Sequence, residues 1–149
     1  MAQGQDEQQL YETIEAAFSD HWGNSPMTYD EFLYYELDGV PEYDPSLVFV
    51  AIDGEQMAGA TICRGSRIGD DTVGWVSNLS VRREWRGRGI GRALLLHGFG
   101  ELHRRGRRAV GLSVDGSSLT GADRLYERVG MREARRDYIY EKELRPASA

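Results

Sequence analysis

The sequence predicts one α/β domain in which helices cover both faces of a mixed, mostly antiparallel sheet. At 149 residues the chain is long enough for one core and short for two domains. Two apolar runs joined by Asp53-Gly54 are typical of a β-hairpin. A helical run separates two later strand-like runs. We expect these two strands to be parallel, because a helical crossover returns the chain to the end of the sheet where the first strand began. We therefore expect residues 1–149 to fold as a single domain of three layers.

The N-terminal half predicts two helices followed by the hairpin. Residues 1–9 are polar and rich in Gln, and we expect them to be disordered. Apolar residues at helical spacing predict the first helix, and Thr28 with Glu31 predicts a capping box at the start of the second. The predicted elements are helices over 10–21 and from 28 to about 37, and strands over 46–52 and 56–64.

The C-terminal half predicts the rest of the sheet and the crossover helix. Arg104-Arg105-Gly106 is a basic helix end followed by a glycine stop. The predicted elements are a strand over 71–81, a helix to about residue 103, a strand over 108–114, a helix over 120–129 and a closing antiparallel pair over 131–136 and 138–143.

A basic, glycine-rich turn joins the predicted strand over 71–81 to the helix that follows it. The turn contains Arg86, Gly87, Arg88, Gly89 and Gly91. A helix N-terminus has unpaired N–H groups and a partial positive charge, and glycines let a phosphate approach the backbone closely. The arrangement predicts a site for a pyrophosphate.

The spacing of the glycines excludes two common nucleotide motifs. A dinucleotide fingerprint fails because Arg92 stands where the third glycine of Gly-x-Gly-x-x-Gly is needed. A P-loop fails because the chain contains no Gly-x-x-x-x-Gly-Lys, and its only lysine is Lys142.

The pattern that does fit is Arg86-x-x-Gly89-x-Gly91, which resembles the acyl-CoA-binding signature of the GCN5-related N-acetyltransferases, the GNAT family. The later stretch GADRLYERVGM is similar to the second motif of that family, and the resemblance covers nearly the whole chain. It implies the GNAT fold, with the parallel strand pair splayed at the acyl-CoA site. It also implies transfer of an acetyl group from acetyl-CoA to the amine of a small molecule or a peptide. The chain further resembles the acetyltransferase domains of mycothiol synthases, which acetylate a cysteinyl amine.

The resemblance also implies roles for individual residues. Backbone N–H groups of the turn would hold the pyrophosphate, and main-chain groups at the end of the preceding strand would pair with the pantetheine arm. Tyr126 would protonate the departing thiolate. The alternative is that Tyr126 belongs to an ordinary amphipathic helix and only packs its ring against neighbouring apolar residues. Relatives commonly have, near the start of this helix, an asparagine that bonds the pantetheine arm, and this chain has Ser118 there. The implied cofactor-binding residues are Leu79, Ser80, Val81, Arg86, Gly87, Arg88, Gly89, Ile90, Gly91, Arg92, Ser118 and Tyr126.

No general base is assigned from the sequence. The polar side chains nearest the predicted site are those of Ser77, Asn78 and Ser80, and none is a base near neutral pH. Three acidic residues precede the hairpin in the region that overlies the acceptor in this fold, and they are candidates if they point inward: Glu31, Glu36 and Glu42.

Charge divides the chain unequally. Residues 1–63 contain 13 acidic and no basic residues, whereas residues 64–149 contain 11 acidic and 18 basic residues. The basic half suits an anionic cofactor, and the acidic half disfavours nucleic acid and favours a cationic acceptor, although a merely solvated acidic surface explains it equally well. Aromatic residues in the acidic half indicate either core packing or a cation-binding pocket: Trp22, Tyr29, Tyr34, Tyr35 and Tyr43.

The remaining features predict neither a metal site nor a membrane segment. His21, His97 and His103 are scattered, and Cys63 is the only cysteine. No apolar run is long enough to cross a bilayer, which makes the cytoplasm the expected compartment.

One departure from the family concerns its first strand. GNAT proteins usually begin with a strand before the first helix, and no apolar run precedes Leu10. The strand over 46–52 would then be an exposed edge, which favours a homodimer or a domain that is half of a tandem protein. The alternative function is a non-catalytic acyl-CoA-binding module.

Overall fold

The computed structural model describes residues 5–19, 26–67, 69–114, 122–138, 140, 142 and 144. Within these residues the chain forms four α-helices and four strands. The helices are α1 (Gln5–Phe18), α2 (Tyr29–Glu36), α3 (Ile90–Arg104) and α4 (Ala122–Arg128). The strands are β1 (Val48–Asp53), β2 (Gln56–Arg64), β3 (Val73–Val81) and β4 (Ala109–Gly111). These elements follow one another in the order α1-α2-β1-β2-β3-α3-β4-α4.

The sheet has the strand order β1-β2-β3-β4 and is mixed, as predicted. The pairs β1–β2 and β2–β3 are antiparallel, whereas β3 and β4 are parallel and are joined through α3. Asp53 pairs with Gln56, so the β1–β2 turn consists of Gly54 and Glu55. Gly54 has a φ of 63°, which glycine adopts without the steric penalty of a side chain.

Two apolar clusters lie on opposite faces of the sheet and confirm the three layers. One cluster joins α1 and α2 to β2 and contains Leu10, Ile14, Phe32, Leu37, Met57, Ala60 and Ile62. The other joins α3 to β2 and β3 and contains Leu47, Cys63, Val76, Leu95 and Leu102, with side chains of α4 packed against it. Cys63 is therefore a buried core residue.

Local signals in the sequence set several helix ends. Thr28 and Glu31 form the predicted capping box of α2, because each side chain accepts a hydrogen bond from the other residue's backbone N–H. α3 ends in a Schellman motif at Gly106, whose φ is 85° and whose N–H donates to the carbonyl of His103. The glycine stop predicted there is confirmed.

Three predictions about element bounds were wrong. α1 begins at Gln5, so the described part of the segment 1–9 is helical rather than disordered. Residues 131–138 form no strand. They bring no apolar face to a sheet, since residues 132–138 are all exposed and their ion pairs are local. β4 is shorter than the predicted strand over 108–114. The predicted strand over 138–143 and the start of the helix over 120–129 lie partly outside the described residues.

β1 lies at an edge of the sheet. In the described part of the chain it pairs only with β2, and no strand precedes α1. Val50 and Ile52 on this strand are 37% and 54% exposed. The edge therefore presents unpaired backbone groups and apolar side chains, as the missing first strand predicts.

Candidate active site

The turn between β3 and α3 depends on two glycines in left-handed conformations. Gly87 has a φ of 77° and Gly89, the N-cap of α3, has a φ of 82°. A Cβ added to either glycine would meet no atom within 4 Å. The backbone of the turn therefore favours glycine, and the space in front of it is open to a ligand.

The N-terminal end of α3 offers unpaired backbone donors. The first backbone hydrogen bond of the helix runs from the N–H of Ala93 to the carbonyl of Gly89 at 3.0 Å. Across the described residues, the N–H groups of residues 87–92 donate no hydrogen bond. These donors and the positive end of the helix dipole form an anion site of the kind that holds phosphates.

The arginines of the turn differ in what they contact. Arg86 is exposed but folds back onto the protein, where its Nε donates to the carbonyl of Val81 at 3.0 Å and its Nη2 to the carbonyl of Ala17 at 2.6 Å. Its side chain thus ties α1 to the end of β3 and is engaged by the fold. Arg88 and Arg92 are exposed and make no hydrogen bond or ion pair with the rest of the described chain. Their charges remain available to an anion.

A gap opens beside the turn where β3 extends past β4. The parallel ladder joins Val73–Trp75 to Ala109–Gly111, and no other described residue pairs with residues 76–81 of β3 on that side. On its other side, the β2–β3 register shifts by one residue at Ser77, between the pairs of Val76 and Asn78. Such a bulge bends the strand, and the β3–β4 pair is splayed as predicted.

The peptide groups of β3 alternate between the gap and β2. The N–H of Arg82 donates to the carbonyl of Ala58 on β2 at 2.8 Å. In an antiparallel pair, alternate residues point to the partner, so Ser80 faces β2 while Leu79 and Val81 face the gap. The carbonyl of Val81 already accepts from Arg86. Both peptide groups of Leu79 and the N–H of Val81 are therefore left to face a ligand.

Tyr126 lies on α4, on the same face of the sheet as α3. Its ring packs against the apolar cluster under α3, against which Leu79 of β3 also packs. Burial raises the pKa of its phenol, and its hydroxyl makes no hydrogen bond with the described residues. The ring is thus held by packing while the O–H stays available, so the packing role and the donor role coexist. Ser118 lies outside the described residues.

Gly91 brings the turn and α4 together. A Cβ on this residue would lie 3.2 Å from Cδ2 of Leu125 and 3.7 Å from Cγ2 of Val81. The absence of a side chain lets the first turn of α3 approach both α4 and the end of β3. Because Leu125 precedes Tyr126, this contact fixes the tyrosine relative to the anion site.

The opposite face of the sheet carries three polar or aromatic groups near the same gap. Glu36, the last residue of α2, has a buried Oε2 without a hydrogen-bond partner, and Arg64 on β2 has a buried, unpartnered Nε. Burial raises the pKa of Glu36, and the charge of Arg64 opposes that shift in part. The Trp75 ring covers Gly111, where an added Cβ would lie 2.6 Å from Cζ3. Sequence reasoning missed Arg64 and Trp75, although Arg64 is the first basic residue of the chain.

The aromatic residues of the acidic half divide between core and surface. Tyr29 and Tyr43 pack against the cluster under α1 and α2, as the core interpretation predicts. Tyr34 and Tyr35 are 65% and 60% exposed, and their ring centroids lie 5.1 Å apart. These two rings line the outer side of α2 and are available to a ligand. Trp22 lies outside the described residues.

Neither a metal cluster nor a transmembrane helix is present in the described ranges. No three or more His, Cys, Asp and Glu side chains come together there to hold a metal ion. None of the helices described combines the length and the apolar character needed to cross a bilayer.

The chain belongs to the acetyltransferase (GNAT) family, whose model matches residues 7–131. It is similar to mycothiol acetyltransferase of Nocardiopsis dassonvillei, with 36% identity over 141 residues that make up 92% of this chain and 42% of that protein. It is also similar to N-alpha-acetyltransferase 30 of Schizosaccharomyces pombe, with 29% identity over 75% of this chain and 73% of that protein. The crystal structure of a GCN5-related N-acetyltransferase from Sphaerobacter thermophilus superposes with a TM-score of 0.69 and 38% identity, over 89% of this chain and 39% of that chain. The chain thus spans less than half the length of the mycothiol acetyltransferase that it matches.

Proposed function

We propose that this member of the GNAT family binds acetyl-CoA at the β3–α3 turn and transfers its acetyl group to an amine. The observation that carries the proposal is the row of unpaired N–H groups over residues 87–92, which begins α3 next to the gap between β3 and β4. N–H groups that can donate to an anion and an unpaired strand edge then lie side by side. A ligand with a pyrophosphate and an extended amide arm requires this arrangement.

The residues of the turn and of β3 fit the parts of acetyl-CoA. The backbone N–H groups of residues 87–92 would hold the pyrophosphate, since the N–H of Arg86 already donates to the carbonyl of Arg83. The exposed Arg88 and Arg92 would add positive charge. Both peptide groups of Leu79 and the N–H of Val81 would pair with the amides of the pantetheine arm as a neighbouring strand does. Ser80 would shape this strand end, since its peptide groups face β2.

Acetyl-CoA supplies the acetyl group as a thioester. In the proposed reaction the amine nitrogen bonds to the acetyl carbon, the carbon–sulfur bond breaks, and Tyr126 donates its phenolic proton to the departing thiolate. The phenol is available as a donor because it is protonated at neutral pH, and burial raises its pKa above the usual value of about 10.

The acceptor would be the amine of a small molecule or a peptide, with a cationic group favoured. The acidic N-terminal half and the exposed rings of Tyr34 and Tyr35 support a cation, since aromatic faces attract positive charge. The similarity to a mycothiol acetyltransferase supports a cysteinyl amine as one acceptor to test.

A Tyr126→Phe substitution separates catalysis from binding. Removal of the proton donor should lower kcat by about 10²-fold or more, because general acids contribute roughly 10²–10⁴-fold. The Kd for acetyl-CoA should stay within about twofold, because the ring and its packing are kept. Tyr140→Phe is the matched control, since Tyr140 is 93% exposed and should leave both quantities unchanged. Release of CoA thiol measures the rate, and calorimetry measures the Kd.

The second candidate is a non-catalytic acyl-CoA-binding module, such as half of a tandem protein. The observation that favours it is that the chain spans 42% of the length of the mycothiol acetyltransferase. This candidate is favoured over the enzyme if the protein binds acetyl-CoA tightly but releases no CoA thiol with any amine of a broad panel.

A further inference from the structure

We infer that Glu36 is the catalytic residue that accepts the proton of the acceptor amine. The inference rests on the proposed acetyl transfer and names a residue for the one step of that reaction to which no group has been assigned. Its basis is a buried carboxylate oxygen without a partner, held on the face of the sheet opposite Tyr126.

The fold holds Glu36 against β2. Glu36 ends α2, and the next residue, Leu37, is fully buried in the cluster that contains Ile62 of β2. Two residues further along β2, Arg64 attracts the carboxylate, but the structure contains no ion pair between them. A buried charged group normally has a partner, so this orphaned Oε2 needs an explanation. A ligand that brings its own N–H donor would supply the missing partner.

Arg64, the charge that acts on Glu36, lies on β2 at the level where the gap begins. Arg64 pairs in register with Trp75 of β3, which pairs with Gly111 of β4, and the β3–β4 ladder ends at this level. Adjacent strands are about 4.8 Å apart, so Arg64 is roughly one strand spacing from the edge of the gap. An amine entering over the Trp75 ring would reach the gap from the side of Glu36, while Tyr126 lies on the other face.

The other acidic candidates near α2 are less suited. Glu31 is exposed, and its Oε2 already accepts a hydrogen bond from the N–H of Thr28 at 2.7 Å. Glu42 has no buried, unpartnered oxygen. Among the charges around α2, Glu7 on α1 and Asp38 after α2 act on nearby tyrosines, whereas Arg64 on β2 is the charge that acts on Glu36.

The proton transfers balance in this arrangement. Glu36 takes a proton from the ammonium group of the acceptor, which frees the nitrogen lone pair to bond to the acetyl carbon. The carbon–sulfur bond breaks, and Tyr126 protonates the thiolate. The newly acetylated nitrogen then passes its second proton through water to the phenolate of Tyr126, and Glu36 releases the proton it accepted to water. Burial raises the pKa of Glu36, which makes the ionised carboxylate a better base than an exposed one.

The test compares Glu36→Gln with Glu31→Gln, which makes the same change on an exposed position of the same helix. Glutamine also completes a capping box, so the control should keep α2 intact. The acceptor panel would contain cysteinamide, a short peptide with a free N-terminus and a diamine. Thiol release over a range of pH measures turnover, calorimetry measures the Kd for acetyl-CoA, and thermal unfolding measures stability.

We expect Glu36→Gln to lower kcat/KM by about 10²-fold or more and to remove the acid limb of its pH profile. The Kd for acetyl-CoA should not change. The folded protein holds the Glu36 proton more tightly than the unfolded chain does, so stability falls as the pH rises through the raised pKa. At neutral pH the variant should therefore melt at or above the wild-type temperature, and this difference should vanish in acid.

Each remaining outcome is decisive. If Glu36→Gln keeps full turnover and the acid limb, or if Glu31→Gln loses as much, Glu36 is not the base, although acetyl transfer itself stands. If the wild-type protein binds acetyl-CoA and acetylates no amine of the panel, the proposed function and the role of Glu36 both fail. A lower melting temperature for Glu36→Gln at neutral pH would show that the carboxylate has a structural role.

Discussion

Arg86 and Arg88 lie two residues apart in the signature turn, and their substitution should have opposite consequences. The guanidinium of Arg86 donates to the carbonyls of Val81 and Ala17, at 3.0 and 2.6 Å. Hydrogen bonds from charged groups contribute roughly 1.5–3 kcal/mol each when they are buried. Since both bonds lie near the surface, we expect Arg86→Ala to lower the free energy of unfolding by about 1–3 kcal/mol in total.

Arg88 is exposed and makes no such contact, so Arg88→Ala should change the free energy of unfolding by less than about 0.5 kcal/mol. It should instead weaken binding of acetyl-CoA and reduce the salt dependence of that binding, because it removes a positive charge beside the anion site. Urea denaturation measures the first quantity, and calorimetric titration at two salt concentrations measures the second.

For a domain of this size a loss of 1 kcal/mol lowers the melting temperature by roughly 2–4 °C, so Arg86→Ala should melt about 3–10 °C below the wild type. The reasoning is refuted if Arg86→Ala melts with the wild type, or if Arg88→Ala loses stability and keeps its affinity for acetyl-CoA. The first result would mean that the contacts of Arg86 contribute little to the fold, and the second would mean that Arg88 stabilises the fold rather than the bound anion.

Two further predictions concern packing and assembly. Gly74→Ala should destabilise the fold by about 1–3 kcal/mol, since its Cβ would lie 2.8 Å from Cδ1 of Leu102, whereas Gly100→Ala in α3 meets nothing within 4 Å and should stabilise by up to about 1 kcal/mol. Urea denaturation would show no such contrast if the β3–α3 packing is loose. Pairing through the β1 edge should give a dimer at tens of micromolar that Ile52→Lys disrupts. A monomeric wild type in light scattering would refute edge pairing.

The elements predicted best are those whose signals are local. β2 has the predicted bounds because Asp53-Gly54 sets one end of a continuous run of small and apolar residues, which is buried along almost its whole length. The capping box of α2 and the glycine that ends α3 depend on residues a few positions apart, and both occur as predicted. The parallel crossover followed from chain connectivity alone.

The elements predicted worst depend on partners distant in sequence. The first turn of α1 is polar and carries no apolar signal, although it is helical and the buried Glu7 lies within it. The predicted strand over 131–136 has apolar residues only at Met131 and Ala134. A strand forms only when a neighbouring edge and an apolar face are available, and these residues have neither.

The candidate site was predictable only where its residues are neighbours in the sequence. The glycine turn is contiguous in sequence, so its left-handed glycines could be anticipated. The contacts of Arg86 with Val81 and Ala17, and the placement of Arg64 between Glu36 and Trp75, are products of tertiary packing. No spacing in the sequence brings these residues together.

Calorimetric titration with acetyl-CoA tests the central claim most directly. We predict micromolar binding to the wild type and its loss in Gly89→Asp, which places a negative charge at the N-cap of α3. Gly54→Asp is the matched control, since Gly54 also has a positive φ and open space around it but lies in the β1–β2 turn. Binding that is equal in all three proteins, or absent from the wild type, would contradict the assignment of the β3–α3 turn as the acetyl-CoA site.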